Sequence, residues 1–367
     1  MLTSLGLLLA LKIVPPTTDL AFKQPQVAST GDMIGVAVGA GNDIYYSFSK
    51  NDGETFSRPA RIETKGKMAL GRHRGPRIAI QSGNVIISAV VGKLGGGQDG
   101  DILAWRSNDN GKSWLEPVRV NDAAGAAREG LHSMAAGNGW LVAAWLDLRE
   151  KGTRIYGSRS EDGGATWSKN FLVYESPDGS VCQCCHPTVM VGPTGRLYVM
   201  WRNALSGNRD MYLATSNDGG RLWDAAKKIG NESWKIDACP MDGGGMTLTG
   251  QAKPYAVFRK DKEIHYSTPG RIERMLGEGK DPAIASGLDE SLYVVWNNPA
   301  GGIEAITSKA NQSRVLAPKG AYPQVVFTGR QALAFWEEED GIGMGVVEDP
   351  AALNIPTAVK ALPAPRP

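Results

Sequence analysis

Seven short apolar segments recur along the chain, and their spacing limits what it can fold into. They read Pro25-Gln26-Val27-Ala28, Pro76-Arg77-Ile78-Ala79, Ser133-Met134-Ala135-Ala136, Pro187-Thr188-Val189-Met190, Pro240-Met241, Pro282-Ala283-Ile284-Ala285 and Pro323-Gln324-Val325-Val326. Successive copies stand 51, 57, 54, 53, 42 and 41 residues apart. A unit of that length holds one four-stranded antiparallel sheet, and sheets repeated at that period close radially into a β-propeller. Alternating strands ending in tryptophan recur inside the units, as in Leu197-Tyr198-Val199-Met200-Trp201, Leu292-Tyr293-Val294-Val295-Trp296 and Leu333-Ala334-Phe335-Trp336. Their period of two is that of a strand. The expectation is an all-β propeller of seven blades, each a four-stranded antiparallel sheet, with six blades as the alternative.

A tighter motif marks the hairpins. Ser107-Asn108-Asp109-Asn110-Gly111-Lys112-Ser113-Trp114 and Ser160-Glu161-Asp162-Gly163-Gly164-Ala165-Thr166-Trp167 follow S-x-D-x-G-x-[TS]-[WF]. Looser copies run from Ser49 to Phe56, where Asp52 comes one place late, and from Ser216 to Trp223, where Leu222 replaces the usual threonine. In a tight hairpin the carboxylate accepts turn amides, glycine supplies positive φ, and the aromatic packs down on the sheet. Asp52, Asp109, Asp162 and Asp218 are therefore read as structural. The 46 glycines, and ten tryptophans against seven phenylalanines, suit many short strands and turns.

These motifs resemble those of the sialidase superfamily, the BNR or Asp-box propellers, over nearly the whole chain from Gln24 onward. The run Cys182-Gln183-Cys184-Cys185, followed by Trp201-Arg202-Asn203, Asn208-Arg209-Asp210, Trp234-Lys235-Ile236 and Cys239-Pro240, is similar to a bacterial sialidase-like subgroup. In a true sialidase three arginines clasp a carboxylate, a Tyr paired with Glu is the nucleophile, and an Asp is the acid/base. The resemblance implies Arg77, Arg202 and Arg259 as candidate arginines, Tyr322 as candidate nucleophile, and Asp281 as a further catalytic candidate. The pattern departs from the family at Ala79, which replaces the second proline of an F-R-I-P segment, and no phenylalanine precedes Arg77. No spacing separates these arginines from Arg149 or Arg209, and pairing with loop carboxylates is the plainer account of each. Fold likeness alone supplies no chemistry.

In a propeller the residue before each inner strand stands at the rim of the central channel, which nominates Gln24, Gly75, His132, His186, Cys239, Asp281 and Tyr322. Arg72-His73-Arg74, Arg149-Glu150, Arg202-Asn203, Arg209-Asp210 and Arg259 open on the same face. All four cysteines belong to this rim. In an extended chain Cys182, Cys184 and His186 share one face while Cys185 points the other way. Soft sulfur and imidazole donors suit copper(I) or zinc, with Cys239 or His132 completing a tetrahedral set. The candidate metal ligands are thus Cys182, Cys184, Cys185, His186, Cys239 and His132. The competing reading is a disulfide from Cys239 to one of the other three, stapling adjacent blades. The run also matches C-x-x-C-H, but a third cysteine inside it and a proline directly after it disfavour c-type haem.

Forty basic against 38 acidic residues leave a net charge of +2, too little for a nucleic-acid-binding field. The apolar run 5–11 is too short to span a bilayer. It reads either as the core of a secretory signal, although Lys12 follows the run and no small-x-small cleavage site is evident, or as an N-terminal strand. The expected organisation is residues 1–22 as signal peptide or closing strand, 23–350 as one propeller domain, and 351–367 as a segment completing the last blade. The expected location is extracytoplasmic, either periplasmic or secreted. Three functions stay open. One is an exported propeller with a Cys/His copper or zinc site at the channel mouth. Another is a glycoside hydrolase acting on a small anionic sugar or glycan, with the cysteines as staples. The third is a scaffold that presents its rim to a protein partner. Whether the chain is an enzyme is undecided on sequence alone.

Overall fold

The computed structural model describes residues 12–31 and 33–347. Seven antiparallel sheets follow one another along the chain, and the six-bladed alternative is excluded. Blade 1 contains Lys23–Thr30, Met33–Ala40, Asp43–Ser49 and Ala60–Ile62. Blade 2 contains Arg77–Gln81, Asn84–Gly92, Asp101–Ser107 and Val118–Arg119, with the short strand Lys67–Met68 added against Asn84–Gly92. Blade 3 runs from His132–Gly137 to Phe171–Tyr174, and blade 4 from Thr188–Val191 to Lys227–Lys228. Blades 5 and 6 run from Gly245–Leu248 to Arg274–Glu278 and from Lys280–Ser286 to Arg314–Ala317. Blade 7 takes Ala321–Phe327, Ala332–Glu338 and Gly341–Val346 from the end of the chain and its outermost strand, Lys12–Ile13, from the beginning. Lys12 lies opposite Gly343 and Ile13 opposite Ile342. This pairing covers an edge that would otherwise stay open. Of the segment 1–22, expected as a signal peptide or a closing strand, Lys12–Ile13 form this closing strand, while residues 1–11 and the C-terminal segment 351–367 lie outside the described residues.

The core lies between the blades. Seven apolar clusters each join two neighbours in order. One packs Ile44 and Tyr46 of blade 1 on Ile78, Ile87 and Trp105 of blade 2, and another closes the ring by packing Ile34 and Val36 of blade 1 on Leu333 and Phe335 of blade 7. Each second strand is apolar on both faces because it is sandwiched between flanking blades. This is why Leu197–Arg202 and Leu292–Asn297 are buried at every position.

The hairpin boxes pin this packing. Asp109 accepts from the Ser113 amide at 2.9 Å and the Ser113 hydroxyl at 2.6 Å, while Ser107 Oγ accepts from the Gly111 amide at 2.7 Å. Asp162 makes the corresponding bonds to Thr166. Gly111 needs its positive φ of 87°, and a Cβ there would lie 2.1 Å from Tyr46 of the preceding blade. In the first box the carboxylate place is taken by Asn51, whose Oδ1 accepts from Ser49 Oγ and from the Thr55 amide. This corrects the assignment of Asp52, which instead sits 3.1 Å from Arg330. Its late position in the motif puts it at the turn's left-handed residue, with φ 54°.

The fifth inner strand is also a correction. It is Gly245–Leu248, not the segment at Pro240-Met241. The glycine run Gly243-Gly244-Gly245 lacks the proline that marks five of the other six copies, and Pro240 lies in the loop before it.

Candidate thiol centre and channel mouth

The loop from Val181 to Pro187 enters blade 4. Backbone bonds from Val181 N to Thr153 O at 3.0 Å and from Cys182 N to Arg202 O at 3.1 Å anchor its start. Residues 183 and 184 then form a turn, so the side chains do not alternate as in a strand. Cys185 is thereby folded back onto Cys182 and Cys184, where an extended chain would have pointed it away. The Sγ atoms lie 3.6 Å apart for Cys182 and Cys184, 3.6 Å for Cys182 and Cys185, and 3.9 Å for Cys184 and Cys185. All four cysteines are free thiols, with Cys182 and Cys185 buried and Cys239 exposed. Cys239 approaches from the loop before blade 5 closely enough to raise the Cys184 thiol. Hydrogen bonding to Cys184 leads the effects that push Cys182 up to about 11, and burial leads those that push Cys185 up to about 12. The metal-free cluster therefore holds its protons at neutral pH.

The two histidines nominated as further ligands are elsewhere. His132 is fully buried in blade 3, 3.0 Å from Ser88 Oγ through Nε2, while its carbonyl accepts from Arg77 Nε at 2.8 Å. Because His132 opens a strand whose first residue faces the blade interior, it never reaches the thiols. His186 follows Cys185 but turns into the channel. Its ring stacks on His73 with centroids 4.7 Å apart, and Nε2 lies 3.2 Å from Gly244 O. Burial, then the neighbouring His73 and Arg77, hold it well below the usual imidazole range, so Nε2 carries the proton given to Gly244.

At the channel mouth the structure brings together His73, His186, Asp281 and Tyr322. His73 Nε2 lies 2.8 Å from Asp281 Oδ1, and Tyr322 meets the His73 ring edge-on at 5.2 Å. Asp281 is held in turn by its amide, which donates to Asp242 Oδ2 at 2.9 Å. Gln24, Asp281 and Tyr322 occupy matching places in blades 1, 6 and 7. Each has a left-handed φ of 50–55° at a β-bulge before a proline. His73 was not among the nominated site residues, because it reaches the rim from a hairpin ahead of the inner strand. The only sequence signal was the Arg72-His73-Arg74 triplet bracketed by Gly71 and Gly75.

The candidate arginines do not form a carboxylate clasp. Arg77 is buried, and its three nitrogens donate to His132 O, Pro76 O and His73 O at 2.8, 2.8 and 2.5 Å. Arg202 is equally occupied, giving Nε to Asp242 O, Nη1 to Arg209 O and Nη2 to Arg259 O at 3.0, 2.7 and 3.0 Å. Arg259 donates to Pro240 O at 2.7 Å and stands 3.9 Å from Asp242. Arg149 is locked between Asp147 and Asp122. Because inner-strand entry loops expose carbonyls that no neighbouring strand pairs with, the long guanidinium side chains fill that need.

Comparison with known proteins agrees with this architecture. Residues 89–261 match the family model described as a BNR repeat-like domain. No curated protein matches the sequence. The propeller superposes on an α-L-arabinanase of Penicillium chrysogenum complexed with arabinobiose, with 14% identity, 92% of this chain and 97% of that chain covered, and a TM-score of 0.54. A Hadza microbial sialidase gives 14% identity, 92% and 68% coverage, and a TM-score of 0.52. A virginiamycin B lyase of Staphylococcus aureus gives 14% identity, 91% and 97% coverage, and a TM-score of 0.55. At these identities the likeness shows the propeller fold alone. Among the described residues no helix is long and apolar enough to cross a membrane.

Proposed function

We propose that this protein is an exported propeller whose thiol cluster binds copper(I) or zinc. The observation that carries the reading is the spacing of the three sulfurs, 3.6, 3.6 and 3.9 Å. A zinc–thiolate bond of about 2.3 Å gives a tetrahedron with an edge of roughly 3.8 Å, so the three thiols already stand where three corners would fall. A disulfide would need sulfurs at about 2.05 Å. Cys182, Cys184 and Cys185 would hold the ion, and Cys239 is the nearest further thiol to make a fourth ligand for zinc. Copper(I) would accept the three alone. His186 and His132 are left out of the set by their positions.

The apolar N-terminal run supports export, and a bound metal would shield three adjacent thiols from oxidation outside the cytoplasm. A sialidase-type clasp receives less support, since Arg77 and Arg202 spend their donors on backbone carbonyls. Among the described residues no surface argues specifically for a protein partner on the rim.

The test is elemental analysis of the full chain, purified with a reductant and supplied with zinc or copper(I). Near-stoichiometric metal is expected, with Cys182→Ser and Cys184→Ser each lowering it. Metal-free wild-type protein under those conditions would overturn the proposal.

A further inference from the structure

Several non-glycine residues with left-handed backbone gather at the mouth of the central channel. Arg72 and His73 are the two central residues of a hairpin closed by paired bonds between Gly71 and Arg74 at 3.0 and 3.1 Å. Both have positive φ, 52° and 66°. That turn ordinarily takes Asn-Gly, and two larger side chains in it cost stability. Asp281 and Tyr322, which face His73, are left-handed as well, at 54° and 50°. Three left-handed non-glycine residues thus converge from blades 2, 6 and 7; the bulge that sets Asp281 and Tyr322 recurs at Gln24 in blade 1, and the Arg72-His73 turn brings a further side chain against them.

We propose that this mouth is a binding site for a small uncharged polyhydroxyl molecule, of the size of a single sugar ring, held by the His73–Asp281 pair and by the polar side chains below it. The proposal is independent of the thiol centre. Asp281 faces Nε2 of His73 at 2.8 Å, and in the neutral ring that contact places the proton on Nε2 and leaves Nδ1 as an acceptor. His73 lines the channel cavity, and the hydrogen bond of its ring is the one through Nε2, so Nδ1 is the ring atom left to meet a ligand. Burial keeps the Tyr322 hydroxyl protonated, which adds a donor beside it.

Beneath these groups lies a cavity of about 170 Å³ whose lining includes Gln26, Ser133, Thr188 and Gln324. Drug-sized sites run to roughly 300–1,000 Å³, so one ring is the scale of ligand that can enter. Amides and hydroxyls of this kind exchange hydrogen bonds with sugar hydroxyls in either direction. The lining is unsuited to an anion. Its one guanidinium, Arg77, has all three nitrogens committed to carbonyls, and Asp281 adds a negative charge. Arg72 and Lys280 lie outside the lining.

Calorimetric titration and saturation-transfer NMR on the full chain test this with L-arabinose, D-galactose, D-glucose and myo-inositol as neutral probes, against N-acetylneuraminate and D-glucuronate. At least one neutral probe is expected to bind saturably, with an affinity that added salt leaves unchanged. His73→Asn and Asp281→Asn should each weaken it by about tenfold or more, the loss expected for one charge-assisted hydrogen bond. Asparagine tolerates the left-handed turn, so His73→Asn should melt no lower than the wild type, which separates lost binding from lost folding. Cys184→Ser should leave sugar binding unchanged while lowering metal content, so the two proposals fail separately. Folded wild-type protein that binds none of the neutral probes would overturn the inference, and so would preferential, salt-sensitive binding of the two anions.

Discussion

Cys182 and Cys185 stand three residues apart in sequence, yet their sulfurs approach to 3.6 Å across a tight turn. Hydrogen bonding to Cys184 raises the affinity of Cys182 for its proton, while burial, followed by hydrogen bonding to Cys182, raises that of Cys185. At neutral pH the metal-free cluster is protonated, and a metal must displace those protons to bind. Zinc loading in weak buffer should therefore release protons, and affinity should rise with pH because fewer protons remain to be displaced. Loading without proton release would show that the thiols are not the ligands. The same protonation predicts slow alkylation. Iodoacetamide should label exposed Cys239 well before Cys182 and Cys185, a difference that peptide mass spectrometry reads directly.

A stabilising substitution follows from the imperfect fourth box. Thr166 and Ser113 each donate a hydroxyl to the box carboxylate at 2.6 Å. Leu222 supplies only its backbone amide to Asp218, at 2.9 Å, and leaves an apolar side chain 76% exposed. Leu222→Thr should restore the missing bond and remove exposed apolar surface. The expected result is a higher melting temperature with unchanged metal and ligand binding. A lower one would mean that this hairpin is shaped differently from its neighbours.

Arg202 offers a test of structural against catalytic roles. It ties the carbonyls of Arg209, Asp242 and Arg259 together across blades 4 and 5. Removing it as Arg202→Met strands those buried acceptors, and should cost roughly 3 kcal/mol or more in chemical unfolding. Arg202→Lys should recover little of this, since an ammonium cannot reproduce the planar fork. If Arg202→Met instead keeps full stability, the guanidinium is held for something other than bracing.

The ring of blades was legible in the sequence because it is written seven times. Each blade carries a strand buried on both faces, and four carry a hairpin box, so local signals and period agree. The site was less legible because it depends on departures from regular structure. The alternation rule misplaced Cys185, since it holds only for extended chain and residues 183 and 184 turn. The one-residue-before-the-strand rule picked out His186, Asp281 and Tyr322 but also His132, whose side chain enters the blade interior, and it passed over His73. The arginines looked available because carbonyl partners leave no trace in a sequence. Asp52 was taken for the box residue because it was the aspartate nearest the expected place, whereas an asparagine one position earlier offers the same acceptor oxygen.

His132 should make the fold sensitive to mild acid. Its Nε2 is engaged with Ser88, its Nδ1 is buried without a partner, and burial followed by the charge of Arg77 lowers its pKa to about 3 from an ordinary 6.5. The folded protein therefore keeps His132 neutral, while the unfolded chain takes up a proton there as pH falls below 6.5. The unfolded state then binds more protons, so the derivative of unfolding free energy with pH is positive and stability is lost on acidification. Above pH 6.5 the residue contributes no pH dependence. Between there and about pH 3 the loss should run at roughly 1.4 kcal/mol per pH unit. His186 is lowered as well and adds to the total in the same direction. Urea unfolding of the wild type and of His132→Gln, compared from pH 7.5 to 4.5, isolates the contribution, because glutamine can keep a bond to Ser88 but does not titrate. The wild-type curve should fall away from the variant's below about pH 6.5, and parallel curves would mean that His132 takes up its proton within the folded protein.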